Sequence, residues 1–251
     1  MSNYNVKRGL AYYFFPGKKY SNLNIVFIHG TGCNKDFLKA THTELEDYNV
    51  YYFDLPGHGD SENTGYSADN YLDAIADFIS DIDNVLLIGH SLGGVLTVGS
   101  LARKPANVIG GIVEGGALDF SYLPEDFKAS VHSGVVPKDV VYAGFGHADN
   151  QDVVDAINAM EPDAVTLEDW LIDETIDVSK GIEDITVPVK VVVGRDDSLV
   201  PPVKSEEIAS RIPNADLLVV HKALHMNVVA NKQDLPWLVE KVVDEADFQL
   251  K

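Results

Sequence analysis

Short apolar segments alternate with longer amphipathic segments along most of this chain, and this alternation restricts its fold more than any other feature. Apolar runs without a polar alternate position are typical of strands buried on both faces, as in parallel sheets covered by helices. Strand and helix in alternation predict an α/β fold with a doubly wound, mostly parallel sheet. The predicted strands are Ile25–His29, Val50–Asp54, Val85–Gly89, Val108–Val113, Val189–Val193 and Leu217–His221.

The amphipathic segments predict the helices that cover this sheet. They are Lys35–Asp47, Ala68–Ser80, Leu92–Arg103, Val203–Arg211 and Asp234–Glu245. The chain before Asn24 is short, so we expect it to add only an abbreviated hairpin. Open α/β sheets bind ligands at the carboxyl ends of their strands, and functional residues are expected there.

The segment 121–178 breaks this rhythm, because it holds no convincing strand and carries short helical patches. With about 60 residues it is too short for an independent core. We predict a small helical cap insertion at 121–178 and an α/β core at 1–120 and 179–251. The patches are Pro124–His132, Lys138–Tyr142, Gln151–Met160 and Leu167–Ile172. The aromatic residues predicted to line a substrate pocket are Phe120, Tyr122, Tyr142, Phe145 and Trp170.

Charge and cysteine content exclude several classes of function. The chain has 19 Lys and Arg against 39 Asp and Glu, which gives a net charge of −20. Such a surface repels phosphate backbones and anionic lipids, so neither nucleic acid nor a membrane is an expected partner. Cys33 is the only cysteine, which excludes a disulfide framework and a cysteine-based metal cluster. Residues 1–5 lack the pattern of a secretory leader, and we expect a cytoplasmic protein.

The segment Gly89-His90-Ser91-Leu92-Gly93 matches G-x-S-x-G, which places a serine on a sharp strand-to-helix turn. About one chain in ten of this length matches by chance, so the context carries the inference. The motif directly follows a predicted strand and directly precedes a predicted helix. Small residues are needed at both ends of the motif, because the serine adopts a strained backbone that lifts its hydroxyl clear of the sheet. We predict Ser91 as a nucleophile.

A serine hydroxyl needs a base within hydrogen-bond reach and a third group that orients the base. Of the eight histidines, His225 lies in a loop just past the last predicted strand, and we predict it as the base. His221 is the alternative, but it closes that strand and is expected to point into or along the sheet. For the acid, Asp197 is preferred and Asp196 is the alternative, since both follow the strand Val189–Val193.

Glu114 and Asp119, which follow the strand at Val108, are weaker candidates for the acid. An oxyanion needs two N–H donors, and we predict the backbone N–H groups of Leu92 and Thr31. Thr31 lies in the glycine-rich segment 29–33, where His29 is expected to be structural and the cysteine inert. No pattern predicts a cofactor or a metal.

Five segments, in this order, resemble the landmarks of the α/β-hydrolase-fold superfamily, in its serine esterase and lipase-like branch. The segments are His29–Gly32, Asp54–Ser61, Gly89–Gly93, Gly194–Pro201 and the loop at His225. The resemblance extends from about residue 24 to residue 238 and implies the chain order Ser91, Asp197, His225. It also implies that Asp54–Ser61 shapes the site without doing chemistry. Serine at position 91 argues against the haloalkane dehalogenase and epoxide hydrolase branches, which use Asp there.

The implied activity is hydrolysis of carboxylic esters with short to medium acyl chains, through an acyl-enzyme intermediate. The expected partner is a small-molecule ester. Alternatives keep the same triad but act on another substrate, as a C–C hydrolase, an aminopeptidase, a thioesterase or a perhydrolase, or keep the fold as a non-catalytic ligand sensor. The cap segment contains no Arg to hold a substrate carboxylate, which argues against C–C cleavage. Its acidic residues are interpreted as solvated helix faces: Glu125, Asp126, Glu161, Asp163, Glu168 and Asp169.

Overall fold

The computed structural model describes residues 4–146 and 149–251, and within them one sheet of eight strands forms the centre of the molecule. The strands are β1 (Asn5–Lys7), β2 (Leu10–Phe15), β3 (Tyr20–Ile28), β4 (Tyr48–Phe53), β5 (Val85–His90), β6 (Val108–Glu114), β7 (Val189–Gly194) and β8 (Ala215–Val220). Their order across the sheet is β1-β2-β4-β3-β5-β6-β7-β8. Strands β3 to β8 pair in parallel, while the short β1–β2 hairpin joins β4 antiparallel at one edge. The predicted mostly parallel α/β sheet is confirmed.

Helices cover both faces of this sheet. They are α1 (Ala68–Ile79), α2 (Leu92–Ala102), α3 (Glu125–His132), α4 (Lys138–Phe145), α5 (Gln151–Asn158), α6 (Asp163–Asp173), α7 (Pro202–Arg211), α8 (Asn227–Ala230) and α9 (Leu235–Glu245), with short 3₁₀ turns at Lys39–Glu44, Ile182–Asp184 and Lys232–Asp234. Strand β5 is buried along its whole length, as its continuous apolarity predicts, whereas the edge strand β8 is half-exposed. Among the described residues, none of the helices combines the length and the apolarity needed to cross a bilayer.

The helix predicted at 35–47 is wrong, because only the 3₁₀ turn Lys39–Glu44 forms there. Thr41 is fully buried in this turn, and its hydroxyl lies 2.7 Å from both the Leu38 carbonyl and the Tyr52 hydroxyl. A β-branched residue whose side-chain oxygen bonds the preceding turn favours a tight local structure over a continuing α-helix. Burial of Thr41 against β4 therefore overrides the amphipathic pattern.

Helices α3 to α6 lie between β6 and β7 in sequence, within the segment predicted as a cap, and residues of α4 to α6 line a cavity together with residues at the carboxyl edge of the sheet. An isolated antiparallel bridge between Asp119 and Asp177 pairs the chain that leaves the core with the chain that returns. The whole excursion therefore starts and ends at one place in the fold. Residues 1–3 and 147–148, which the predicted core and cap ranges include, lie outside the described residues.

Candidate active site

Ser91 occupies the turn between β5 and α2 with φ 57° and ψ −121°, a backbone conformation that side-chain-bearing residues rarely adopt. The tightness of this turn explains its glycines. A Cβ on Gly89 would lie 2.0 Å from the Gly93 carbonyl oxygen, and a Cβ on Gly93 would lie 2.1 Å from the Ile28 carbonyl oxygen. The turn therefore presses the start of α2 onto the ends of β3 and β5, and lifts Ser91 to the carboxyl edge.

His225 and Asp197 form a buried pair at the same edge, with Nδ1 of the histidine 2.8 Å from Oδ2 of the aspartate. The other carboxylate oxygen of Asp197 accepts the backbone N–H groups of Leu199 and Val200, each at 2.9 Å. An ionised carboxylate only accepts, so Nδ1 carries the proton and the pair fixes one tautomer of the imidazole. Asp196, the alternative acid, is exposed on the turn.

His90 holds His225 in position through a hydrogen bond to its backbone and a contact between the two rings. Its Nε2 lies 3.1 Å from the His225 carbonyl oxygen, which can only accept, so Nε2 is the donor. The two rings lie 4.7 Å apart, centroid to centroid. Burial, and then the neighbouring His225, lower the pKa of His90 to about 3, so this ring stays neutral beside the base. The sequence reasoning did not assign His90 a role, although the motif places it directly before the serine.

Ser91 and His225 line one cavity of about 330 Å³ beneath the cap. Within residues 4–146 and 149–251, neither the Ser91 hydroxyl nor His225 Nε2 has a hydrogen-bond partner in the protein. In substrate-free structures, nucleophile–base hydrogen bonds are often long and tighten only around the substrate. The cavity therefore brings together the hydroxyl of a residue with a strained backbone and an oriented imidazole, an arrangement suited to nucleophilic chemistry.

The segment after β3 lies directly against the serine turn. A Cβ on Gly30 would lie 3.0 Å from the Cβ of Ser91, and the next residue, Thr31, lines the cavity. Leu92 is the first residue of α2, where the positive end of the helix dipole favours an anion. In the described parts of the chain, the backbone N–H groups of Thr31 and Leu92 donate to no protein acceptor. The structure thus leaves two N–H groups available beside Ser91.

Comparison with known proteins places this site in a family. The family model described as "Alpha/beta hydrolase family" matches residues 25–232, which is most of the chain. The chain belongs to the alpha/beta hydrolase family.

Relatives of this alpha/beta hydrolase include a pimeloyl-[acyl-carrier protein] methyl ester esterase of Shewanella oneidensis, 26% identical over 86% of this chain and 91% of the relative. An esterase of the same name from Shewanella woodyi is 37% identical over 87 residues, which is 34% of this chain and 33% of that one. The crystal structure of a lipase-esterase related protein from Clostridium acetobutylicum superposes with a TM-score of 0.88 at 27% identity, and covers 93% of this chain and 99% of that one.

The structure of this alpha/beta hydrolase places four of the five predicted pocket aromatics around the cavity: Phe120, Tyr142, Phe145 and Trp170. The prediction for Tyr122 is wrong. Its hydroxyl donates to the Leu199 carbonyl at 3.1 Å, and its ring lines a neighbouring groove. Leu199 lines both spaces, so it forms part of the wall that separates this tyrosine from the cavity.

Two further histidines of this alpha/beta hydrolase lie away from the chemistry. His221 does not close β8 as predicted, because the strand ends at Val220 and the exposed histidine begins the turn that continues at Lys222 with φ 60°. His29 accepts the Leu55 N–H at Nε2, 3.0 Å away, and its Nδ1 contacts the Gly30 carbonyl at 3.0 Å. Burial lowers the pKa of His29 to about 3, so it is a neutral structural residue, as expected.

The contacts of the two weaker acid candidates, Glu114 and Asp119, and of Cys33 indicate structural roles. Glu114 is buried, accepts a hydrogen bond from Asn227 Nδ2 at 3.1 Å, and has its pKa raised to about 7 by burial. Asp119 pairs with Asp177 at the neck of the cap and lies 3.8 Å from Lys204. The thiol of Cys33 is buried, and burial raises its pKa well above the usual value, so it is not a thiolate.

The interpretation of the cap carboxylates as solvated is wrong for Asp169, which has no exposed surface. Glu161 is half-buried and lines the cavity, whereas the other four acidic residues are exposed. The sequence of α6 does contain a pattern that indicates the burial of Asp169. Four residues recur at three- and four-residue intervals and therefore share one helix face: Thr166, Asp169, Trp170 and Asp173. That face is buried against the core.

Proposed function

We propose that this chain is a serine hydrolase that cleaves carboxylic esters of short to medium acyl length through an acyl-enzyme intermediate. The observation that carries the proposal is the 2.8 Å contact of Asp197 with His225, which lines the same cavity as Ser91. The names of the relatives support ester chemistry, since two are called methyl ester esterases and one is called lipase-esterase related.

In the acylation step, His225 Nε2 takes the hydroxyl proton of Ser91 while the oxygen attacks the ester carbonyl carbon. The C=O electron pair moves onto the carbonyl oxygen, and the N–H groups of Thr31 and Leu92 stabilise the resulting oxyanion. Asp197 stays ionised and stabilises the imidazolium. When the oxyanion collapses, the C–O bond to the alcohol breaks and His225 returns the proton to the leaving oxygen.

In deacylation, water replaces the alcohol. His225 removes a proton from this water, the water oxygen attacks the acyl carbon, and the second tetrahedral oxyanion occupies the same two N–H donors. Its collapse releases the carboxylic acid and returns the proton to Ser91. Since one histidine serves both half-reactions, the fixed tautomer that Asp197 imposes is needed twice in each turnover.

The cavity favours a small, uncharged ester. Its volume of about 330 Å³ lies at the lower end of the range for small-molecule sites, and aromatic and aliphatic side chains provide most of its lining. The charged groups on its wall already have partners. Lys138 pairs with Asp163 at 2.6 Å, and Glu161 accepts hydrogen bonds from Asn34 and from the Gly59 N–H, both at 2.8 Å.

These pairings argue against the main alternatives. An aminopeptidase needs a free carboxylate to bind the amino group of its substrate, and a C–C hydrolase of acidic substrates needs a free cation. Among the described residues that line the cavity, Glu161 and Asp163 are the carboxylates and Lys138 is the cation that carries a permanent charge. All three are engaged within the protein.

The test is hydrolysis of p-nitrophenyl acetate and butyrate by the wild-type protein and by Ser91→Ala. We expect measurable turnover by the wild type and a loss of several orders of magnitude in kcat for the variant, because triad members act as a unit. Equal rates of hydrolysis by the wild type and by Ser91→Ala would exclude Ser91 as the nucleophile.

A further inference from the structure

Two carboxylates of the cap helix α6 reach the segment that supplies Thr31. Asp169 and Asp173 are four residues apart, so they lie on one face of the helix, and neither has exposed surface. Oδ2 of Asp169 accepts the backbone N–H of Gly32 at 2.7 Å. Oδ2 of Asp173 accepts the Thr31 hydroxyl at 2.8 Å. Both bonds join the cap to the residues beside the serine turn.

Asp169 also binds two other parts of the core. His58, in the loop after β4, has Nε2 at 2.8 Å from Oδ2, and the Tyr71 hydroxyl of α1 donates to Oδ1 at 2.8 Å. Nδ1 of His58 lies 3.1 Å from the Pro56 carbonyl, so both ring nitrogens face acceptors and the ring is an imidazolium. The carboxylate of Asp169 thus receives three hydrogen bonds from three separate core segments.

The charges of this group are mutually stabilised. Burial opposes the charge on His58, but the charge of Asp169 together with the hydrogen bonds to Asp169 and to the Pro56 carbonyl raises the pKa of the histidine. Burial likewise opposes ionisation of Asp169, but His58 and the donated hydrogen bonds hold the pKa of the carboxyl below its usual value. None of the described residues forms an ion pair with Asp173, and burial raises its pKa well above the usual value and keeps it neutral. Asp169 is the anion of α6 that contacts the loop.

We propose that Asp169 is a positioning residue that fixes the peptide of Gly32 so that the preceding N–H, of Thr31, faces the oxyanion. The proposal rests on the proposed ester hydrolysis. Asp169 does not line the cavity and touches no substrate, so it acts only through the loop. Because Asp169 belongs to α6, the N–H of Thr31 is correctly placed only when α6 packs against the core.

The expected behaviour follows from the role of one oxyanion donor. Loss of such a donor lowers kcat by about 100- to 1000-fold in other hydrolases, and a displaced donor should cost part of that. We expect Asp169→Asn to lower kcat by about 10- to 100-fold and to change KM by less than about threefold, because the donor acts in the transition state. Asparagine keeps the shape of the side chain but removes its negative charge, so the hydrogen bonds from Gly32 and His58 are weakened.

Tyr71→Phe is the matched control, since it removes a hydrogen bond to the same carboxylate but leaves the bond to Gly32. We expect both variants to lower Tm by about 3 °C or more. The control should keep kcat within about threefold of the wild type. Affinity for phenylboronic acid, whose Ser91 adduct carries a tetrahedral anion, should fall in Asp169→Asn by the same factor as kcat. Equal loss of kcat in both variants, or unchanged kcat in Asp169→Asn, would overturn the proposal.

A measurement on the wild-type protein covers the case in which Asp169→Asn does not fold. The Gly32 amide should exchange with solvent deuterium as slowly as the core amides of α6, because it is bonded to a buried anion. Exchange at the rate of an open loop would overturn the proposal. The two proposals fail separately: if Ser91→Ala kept wild-type turnover the ester mechanism would fail, whereas Gly32 exchange reports on Asp169 alone.

Discussion

Glu114 shows how one buried side chain can set the pH dependence of the whole fold. It ends β6 with 2% of its surface exposed, and its partner Asn227 donates a hydrogen bond without supplying a positive charge. Its backbone carbonyl accepts the N–H of Ser91 at 2.9 Å, so the residue lies directly under the serine turn. Burial raises its pKa from 4.5 to about 7. The folded protein therefore holds a proton on Glu114 in a pH range where the unfolded chain has released it.

This difference predicts that Glu114→Gln stabilises the protein at neutral pH. Below about pH 4.5 Glu114 is protonated in both the folded and the unfolded state, and it does not lower the free energy of unfolding. From there to about pH 7 the stability of the wild type falls, and above that pH the deficit is about 3 kcal/mol. Glutamine carries no charge, so the variant should be more stable by about that amount at pH 8 and nearly equal near pH 4. Urea unfolding at both pH values measures this.

The control for this prediction is Glu168→Gln, which changes an exposed carboxylate of the cap. It should leave the difference in unfolding free energy between the two pH values within about 0.5 kcal/mol of the wild type. If Glu114→Gln gave the same change at both pH values, burial of the charge would not be its cause.

At the scale of elements, the contact of α2 with the end of β3 depends on Gly93. Its missing side chain allows the Ile28 and His29 carbonyl oxygens to lie 2.1 and 2.6 Å from where a Cβ would stand. Gly93→Ala must push the helix off the strand, and we expect a loss of at least about 3 kcal/mol or no folded protein. Thermal unfolding followed by circular dichroism measures it.

Gly94→Ala is the neighbouring control. Its Cβ would meet nothing closer than 3.2 Å, and alanine favours a helix over glycine by about 1 kcal/mol, so the change should be close to neutral. A stable Gly93→Ala variant would show that the serine turn does not fix the approach of helix and strand.

The elements also show where sequence patterns are sufficient. Continuous apolar runs predict the parallel strands β3 to β8. The reason is clearest for β5 and β7, which are buried along their whole length, because a strand buried on both faces has no polar alternate position. The positions of Ser91, Asp197 and His225 follow from these strands, since each residue comes just after one. The turn at residues 39–44 and the buried Asp169 depend on contacts with partners far along the chain, Tyr52 and His58. Local periodicity places Asp169 on the same helix face as Thr166 and Trp170, but it does not identify the distant residues that this face contacts.

At the scale of the molecule, the net charge of −20 should influence which esters reach the cavity. A strongly negative surface concentrates cations and repels anions, and salt screens this field because the Debye length falls from about 10 Å at 0.1 M to about 3 Å at 1 M. We expect an ester with a quaternary ammonium group to have a kcat/KM at least about tenfold above that of a matched carboxylate ester at low salt. The ratio of the two kcat/KM values should decrease at about 0.5 M NaCl.

An uncharged ester of the same size is the control, and its kcat/KM should change little with salt. A gap of constant size at all salt concentrations would point to contacts inside the cavity rather than to the field of the surface. A faster carboxylate ester would contradict the expectation outright.

The bridge between Asp119 and Asp177 holds the two ends of the four-helix segment next to each other, so a few linking residues would close the chain if the segment were removed. Deletion of α3 to α6 would leave the strand order of the sheet unchanged, but it would expose the part of the hydrophobic core that residues such as Phe127 and Trp170 of these helices cover. Yet such a trimmed protein would lose the anion that the Gly32 amide and the His58 ring both bind. Any cap segment grafted in its place must therefore supply an acidic side chain at the position of the Asp169 carboxylate, whatever pocket it forms.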